Sequence, residues 1–112
     1  MNVENTKAQM RKGVLEYCIL SILAQGELYP SDIISKLKEA KLIVVEGTLY
    51  PLLTRLKDAG LLTYRWEESR SGPPRKYYKL TTVGDKFLNE LDQTWDELSQ
   101  AVKKTTRKNA QR

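Results

Sequence analysis

No histidine occurs among the 112 residues, and cysteine occurs once, as Cys18. The first absence removes the side chain that ordinarily titrates near neutral pH and is the commonest protein metal ligand. The second rules out an internal disulfide and any cysteine cluster for zinc. No glycine-rich phosphate loop is followed by lysine, so a nucleotide cradle of that kind is missing too. Carboxylates are plentiful, but they fall on helical surfaces where ion pairing and solubility account for them. The expectation is therefore no enzyme, no cofactor and no metal. No apolar run approaches the roughly 20 residues of a membrane span, and no signal-peptide pattern is present, so a cytoplasmic setting without membrane contact is expected. Cys18 lies in the apolar run Tyr17-Cys18-Ile19-Leu20 and reads as a buried structural thiol.

What is present describes one ordinary globular domain, 40% hydrophobic and 29% charged. The net charge of +5 comes from five basic residues near the end, Lys103, Lys104, Arg107, Lys108 and Arg112. Residues 1–102 hold 14 basic and 14 acidic residues, so the body is neutral and the overall charge says little about partners. Its distribution says more. Residues 65–79 carry a local net of +3 and residues 85–97 a local net of −4. One region can face phosphates, and the other is repelled by them.

The chain is organised around residues 46–60. Leu49, Leu52, Leu53 and Leu56 recur at helical spacing and define one apolar face. Thr48 is placed as an N-cap, Pro51 falls in the first turn, and Gly60 can close the helix in the left-handed conformation. The opposite face carries Thr48, Tyr50, Pro51, Thr54, Arg55 and Lys57, either an idle solvated surface or one offered to DNA. Before it, a polar arm over Asn2–Ala8 leads to an expected helix from about Gln9 to Ala24, with Met10, Val14, Cys18 and Ile22 along one stripe. Its second half, with Leu15, Ile19, Leu20 and Leu23, is apolar almost all round, as in a central core helix. Pro30 opens a second helix to about Ala40, burying Ile33, Ile34 and Leu37. Leu42-Ile43-Val44-Val45 suits a short strand.

Beyond Gly60 the period changes to two. Leu62, Tyr64 and Trp66 alternate with Thr63, Arg65 and Glu67, and Lys76, Tyr78 and Leu80 line one side of a second run. Two such runs around Ser69–Pro74 predict a hairpin. Arg70, Arg75 and Lys76 sit at or beside its loop. Charged tips commonly serve only to discourage aggregation. Beside a helix with a donor-rich face, however, a basic hairpin makes a winged helix. The fold class expected is α+β, mostly α, with a winged helix-turn-helix followed by one long C-terminal helix.

That last helix starts at Thr81 or Thr82, with Asp85 placed to complete a capping box from Thr82. Leu88, Leu91, Trp95, Leu98 and Val102 then recur at alternating spacings of three and four, a seam of coiled-coil type. Val83 and Phe87 lie off the seam and are expected to anchor the helix to the wing. An undocked helix of this length is marginal, so a symmetric homodimer through the seam is expected. The organisation expected is a winged-helix DNA-binding domain over residues 1–80, whose first helix also contributes to the dimer, a dimerisation helix over 81–108 and a disordered basic tail over 109–112.

Several strings carry a resemblance. Gly-Thr-Leu-Tyr-Pro-Leu-Leu-Thr-Arg-Leu (47–56), Gly-Leu-Leu (60–62), Trp66, Gly-Pro-Pro-Arg-Lys-Tyr-Tyr-Lys-Leu-Thr (72–81) and Arg-Lys-Gly-Val-Leu-Glu (11–16) closely resemble the PadR family of bacterial winged-helix transcriptional regulators, in its short form with a single C-terminal helix. One departure stands out. The family often has Gly-Tyr at the start of the second helix, where this chain has Pro30-Ser31, putting in doubt any contact the family makes through that tyrosine. The resemblance implies a dimeric repressor binding an inverted-repeat operator in double-stranded DNA. Thr48 and Tyr50 suit base edges in the major groove, unless Thr48 is consumed as the N-cap. Pro51 and Thr54 share their face. Arg55 meets a phosphate or an intrachain carboxylate, and Arg70, Arg75 and Lys76 grip backbone or minor groove. Tyr77 and Tyr78 read as core aromatics or as stacking platforms. Trp95, with Leu91 and Leu98, either packs the dimer interface or lines a pocket for a flat aromatic or hydrophobic effector, as a tryptophan does in multidrug-sensing relatives. The competing reading is a winged-helix interaction or architectural module without an effector.

Overall fold

The first helix begins earlier than its apolar periodicity suggests. In the computed structural model, which describes residues 1–107, α1 runs Val3–Leu23. The expected tail over 109–112 lies outside the described residues. The polar arm Asn2–Ala8 is helical because Asn2 caps it, its side-chain oxygen accepting from the Glu4 amide at 2.7 Å. Those first turns are exposed. The buried stripe is Leu15, Ile19, Leu20 and Leu23, not the line through Met10. Met10 is fully outside the core and Cys18 is half-buried, its thiol pKa pushed up by desolvation.

Helix α2 (Pro30–Glu39) buries Ile33 and Leu37, and the Asp32 carboxylate accepts from the Tyr29 amide at 3.2 Å to close its first turn. Lys41 then takes a positive φ of 64°, the left-handed position usually given to glycine after a helix. The expected strand Leu42–Val45 does not form. These residues join no strand, the Leu42 amide donating instead to the Leu37 carbonyl at 2.8 Å, and Ile43 and Val45 are exposed. β-branching favours an extended chain, but a strand needs a neighbour with free backbone groups. Leu28, ahead of α2, takes that neighbour instead through reciprocal hydrogen bonds with Tyr78 of 3.1 and 2.9 Å.

Helix α3 (Glu46–Asp58) buries Leu49, Leu53 and Leu56, while Leu52 is half-buried. Its start is three residues earlier than expected, with Val45 rather than Thr48 at the cap position, so Thr48 lies in the first turn and Pro51 in the second. Gly60, at φ 81°, ends it as anticipated. Strands β1 (Leu62–Ser69) and β2 (Gly72–Leu80) then form a two-stranded antiparallel hairpin. Its turn is shorter than predicted: Ser69 pairs with Gly72 and only Arg70 and Ser71 lie between, with a register shift between Glu67 and Ser69.

Helix α4 (Thr82–Thr105) is capped by Thr81, whose hydroxyl accepts from the Gly84 amide at 2.9 Å and reaches the Gly60 carbonyl at 2.7 Å. Thr81 wins over Thr82 because its one hydroxyl ties the helix start to the end of α3, so the Thr82–Asp85 capping box does not form. Nor do Val83 and Phe87 anchor α4, both being exposed. Gly84 does, because it packs where any Cβ would overlap the Leu61 carbonyl oxygen, and Leu88 joins the core one turn later. The core is thus one cluster shared by α1, α2, α3, the base of the hairpin and the first turns of α4.

Candidate nucleic-acid interface and dimer helix

The leucine face of α3 is sealed inside the domain, which leaves its other side as a fixed surface. Thr48, Tyr50, Pro51, Thr54 and Arg55 are all exposed on it. Because Val45 occupies the cap position, the Thr48 hydroxyl is not consumed as an N-cap. Pro51 has no amide to return to the Gly47 carbonyl, but Gly47 is exposed, so that oxygen faces water. Arg55 takes the intrachain option, its Nη1 3.3 Å from the Glu16 carboxylate of α1. That pair is solvent-facing and contributes at most about 1 kcal/mol, so it does not commit the guanidinium permanently.

The hairpin holds its cations in three different ways. Arg70 is exposed in the two-residue turn. Arg75 lies flat over the Tyr29 ring, its Cζ 3.9 Å from the centroid, and donates to the Ser31 hydroxyl at 2.7 Å. It is therefore steered toward the start of α2 by Tyr29 and by Ser31, the second of the two residues that depart from the family's usual Gly-Tyr. Lys76 stands over Tyr64 at 4.5 Å and over Trp66 at 5.6 Å. Arg65, by contrast, is neutralised by Glu67 and, at 3.1 Å, by Glu27, which hold its pKa above the ordinary value. The local net of +3 read from the sequence overstates what the wing presents. Tyr78 is core, its phenol pKa raised mainly by burial, and Tyr77 stacks on Tyr29 with centroids 4.6 Å apart.

On α4 the seam divides. Leu88 is buried and Leu91 half-buried, while Trp95, Leu98 and Val102 are 42, 51 and 48% exposed. Trp95 and Tyr17 of α1 lie 6.3 Å apart, and the Tyr17 hydroxyl donates to the Asp92 carboxylate at 2.6 Å. That bond, together with desolvation, pushes the Tyr17 pKa up to about 12. Leu91, Trp95 and Leu98 lie away from an open groove of about 530 Å³ formed by α1, the 42–45 link and the start of α3. Apolar Leu15, Leu42, Val44, Val45 and Leu52 form much of its wall, with Arg11 and Lys12 at the side.

The whole arrangement of α3, hairpin and long C-terminal helix has counterparts among known proteins. The profile of the transcriptional regulator PadR-like family matches residues 19–90. This chain belongs to the PadR family. The solved structure of a PadR-like transcription factor from Bacteroides fragilis is 63% identical, with a TM-score of 0.78, covering 91% of this chain and 99% of its own. A PadR-family regulator from Eggerthella lenta, 33% identical, superposes at 0.84 over 91% of this chain and 89% of its own. The negative transcriptional regulator PadR of Bacillus subtilis is 36% identical over 84 residues, which are 69% of this chain and 44% of that protein. The B. subtilis protein has been solved in complex with operator DNA, and that structure matches with a TM-score of 0.65 at 34% identity, over 70% of this chain and 46% of its own. This PadR-family regulator therefore spans under half the length of the B. subtilis protein.

Some contacts escaped the sequence reading. Lys57, placed only on the polar face of α3, reaches 5.8 Å from the Tyr64 ring, and Trp66, noted for its strand alternation and for the family resemblance, stands exposed beside Lys76. Turn length alone would not have signalled the second pair: two residues at Arg70-Ser71 would set Trp66 opposite Arg75, and the register shift between Glu67 and Ser69 brings Lys76 there instead. Ser31 and Tyr17 carried no signal, because their partners Arg75 and Asp92 lie 44 and 75 positions away.

Proposed function

We propose that this PadR-family regulator is a dimeric, sequence-specific DNA-binding repressor. The observation that carries the reading is α3, with its leucines sealed in and its Thr48–Tyr50–Thr54 face open, mounted beside a hairpin that presents Arg70, Arg75 and Lys76. The B. subtilis relative solved with operator DNA supports the same assignment. In this reading Thr48 and Tyr50 address base edges, Pro51 shapes the approach, and Arg55 exchanges Glu16 for a phosphate. The wing cations set register and depth.

Dimerisation rests on the apolar stripe of Trp95, Leu98 and Val102, which one protomer leaves open. A two-fold arrangement lets the stripe of each protomer meet that of its partner. Residues 1–80 would then form the reading unit and α4 the spacer that sets the separation of the two α3 helices. A hydrophobic or aromatic effector would sit at Trp95, Leu91 and Leu98. In this reading the second copy completes that site. Release would follow if the effector binds one inter-protomer angle better than the other.

The deciding experiment compares an inverted-repeat promoter fragment with a scrambled duplex at fixed salt. Clear preference for the repeat is expected, and equal affinity for both would leave only an architectural module. With about six to eight phosphate contacts per dimer, the log–log salt slope should be roughly −5 to −7. Titrating planar dyes and phenolic acids while following Trp95 emission tests the effector site.

A further inference from the structure

The two faces of the wing differ in what surrounds their charges. On one face Arg65 is bound by Glu67 and Glu27. On the other, Leu62 pairs with Leu80, Tyr64 with Tyr78 and Trp66 with Lys76, so the surface passes from buried aliphatic to aromatic to an exposed indole–ammonium pair toward the tip. Trp66 is 60% exposed. Its ring meets Tyr64 edge-on, at 5.9 Å and 88°, which fixes its orientation without covering it. Lys76 makes no ion pair among the described residues, and Lys57 of α3 meets only the neighbouring Asp58, at 3.8 Å. Both ammonium groups stand over the Tyr64 ring, at 4.5 and 5.8 Å, so the patch runs without a break from the wing to α3.

We propose that Trp66, Lys76 and Lys57 form a contact surface for the sugar–phosphate backbone of DNA, with Trp66 as its anchor. The inference rests on the DNA-binding reading above and adds a residue to it. The chemistry is one-sided. An indole N–H and two ammonium groups donate and cannot accept, which matches phosphate oxygens that accept and cannot donate. The apolar indole face, already flanked by cations, fits a deoxyribose rather than a charged side chain. A protein partner would bring donors of its own, and the patch's three contacting groups offer them no acceptor. Contact with the backbone is independent of sequence and positions the wing relative to α3.

The test uses a random-sequence duplex at low salt, since no operator is needed to measure a backbone contact. Trp66→Ala is expected to weaken binding about tenfold, and Trp66→Phe, which keeps an aromatic ring but loses the donor, about threefold. Lys76→Ala should reduce the magnitude of the salt slope by about one. Trp95→Phe leaves Trp66 as the sole tryptophan, and its emission should change on saturation with duplex in a protein whose wing is unaltered. That readout stands even if Trp66→Ala folds poorly. Wild-type affinity in a folded Trp66→Ala protein, or unchanged Trp66 emission at saturation, assigns the patch elsewhere and overturns the proposal. A wild-type protein that binds no duplex at all would instead remove the DNA-binding reading itself.

Discussion

In α3 the apolar positions Leu49, Leu53 and Leu56 are sealed within one protomer, whereas in α4 only Leu88 of the five seam residues is fully buried. Both stripes have helical period, and both read as buried faces in sequence. The difference lies in what the chain can bring to each. Helix α3 sits between α2 and the base of the hairpin, and it closes over a core that α1 already fills. Helix α4 is tied down at its start by Thr81, Gly84 and Leu88 and then outruns the domain, with Tyr17 and Asp92 as its last polar tie to α1. A satisfied stripe contributes to folding of the protomer. An unsatisfied one is available for assembly.

That contrast can be broken at points of decreasing effect. Leu53→Ala should destabilise the protomer most, by about 2–5 kcal/mol in chemical denaturation, because it empties a fully buried site. Gly84→Ala should cost roughly 1–3 kcal/mol or more, since its methyl overlaps the Leu61 carbonyl and lies 2.9 Å from a Leu80 methyl. Far-UV dichroism with thermal melting would report α4 detaching from the domain. The double change Leu98→Asp, Val102→Asp should leave the winged-helix core folded and yet shift the protein to monomer in sedimentation. Retained dimer would place the interface away from the seam.

Smaller effects sharpen the comparison further. The raised Tyr17 pKa means that the folded state favours the neutral phenol. This contribution is complete below the ordinary value of 10 and is lost as pH rises through about 12. Tyr17→Phe should therefore flatten the alkaline decline of stability in that window, measured by denaturation at a series of pH values. Arg70→Ala should leave the melting temperature unchanged, as its side chain is exposed in the turn, while weakening duplex binding in gel-shift titration.

Much of this was legible in the residues. Alternation in 62–66 and 76–80 specified the hairpin because a period of two has no other stable use at that length. Leu49, Leu53 and Leu56 marked α3 for the corresponding helical reason. Element ends were less legible. Asn2 begins α1 ahead of any apolar signal, and Val45 rather than Thr48 stands at the start of α3. Leu42–Val45 carried a sound local preference for extended chain, and yet Leu28 took the one place beside Tyr78. Of the expected interface, Thr48, Tyr50, Thr54 and Arg70 are exposed as anticipated, and Lys76 is half-covered. Arg55 and Arg75 are engaged by Glu16, Tyr29 and Ser31 from distant parts of the chain.

By itself the sequence determined periodicity, and with it three leucines facing one way on α3, an alternating hairpin and a long final helix with an apolar seam. Those are local consequences of side-chain spacing on a backbone with two repeats to choose from. Only the tertiary structure decided which charges were already paired, which strand-like segment found a neighbour and which apolar stripe remained open. Each of those outcomes depends on contacts between residues far apart in the chain, where one partner's gain excludes another's. Gly84 against the Leu61 carbonyl is such a case: a small residue in a helix by spacing, and the point where α4 is fastened to the domain by packing.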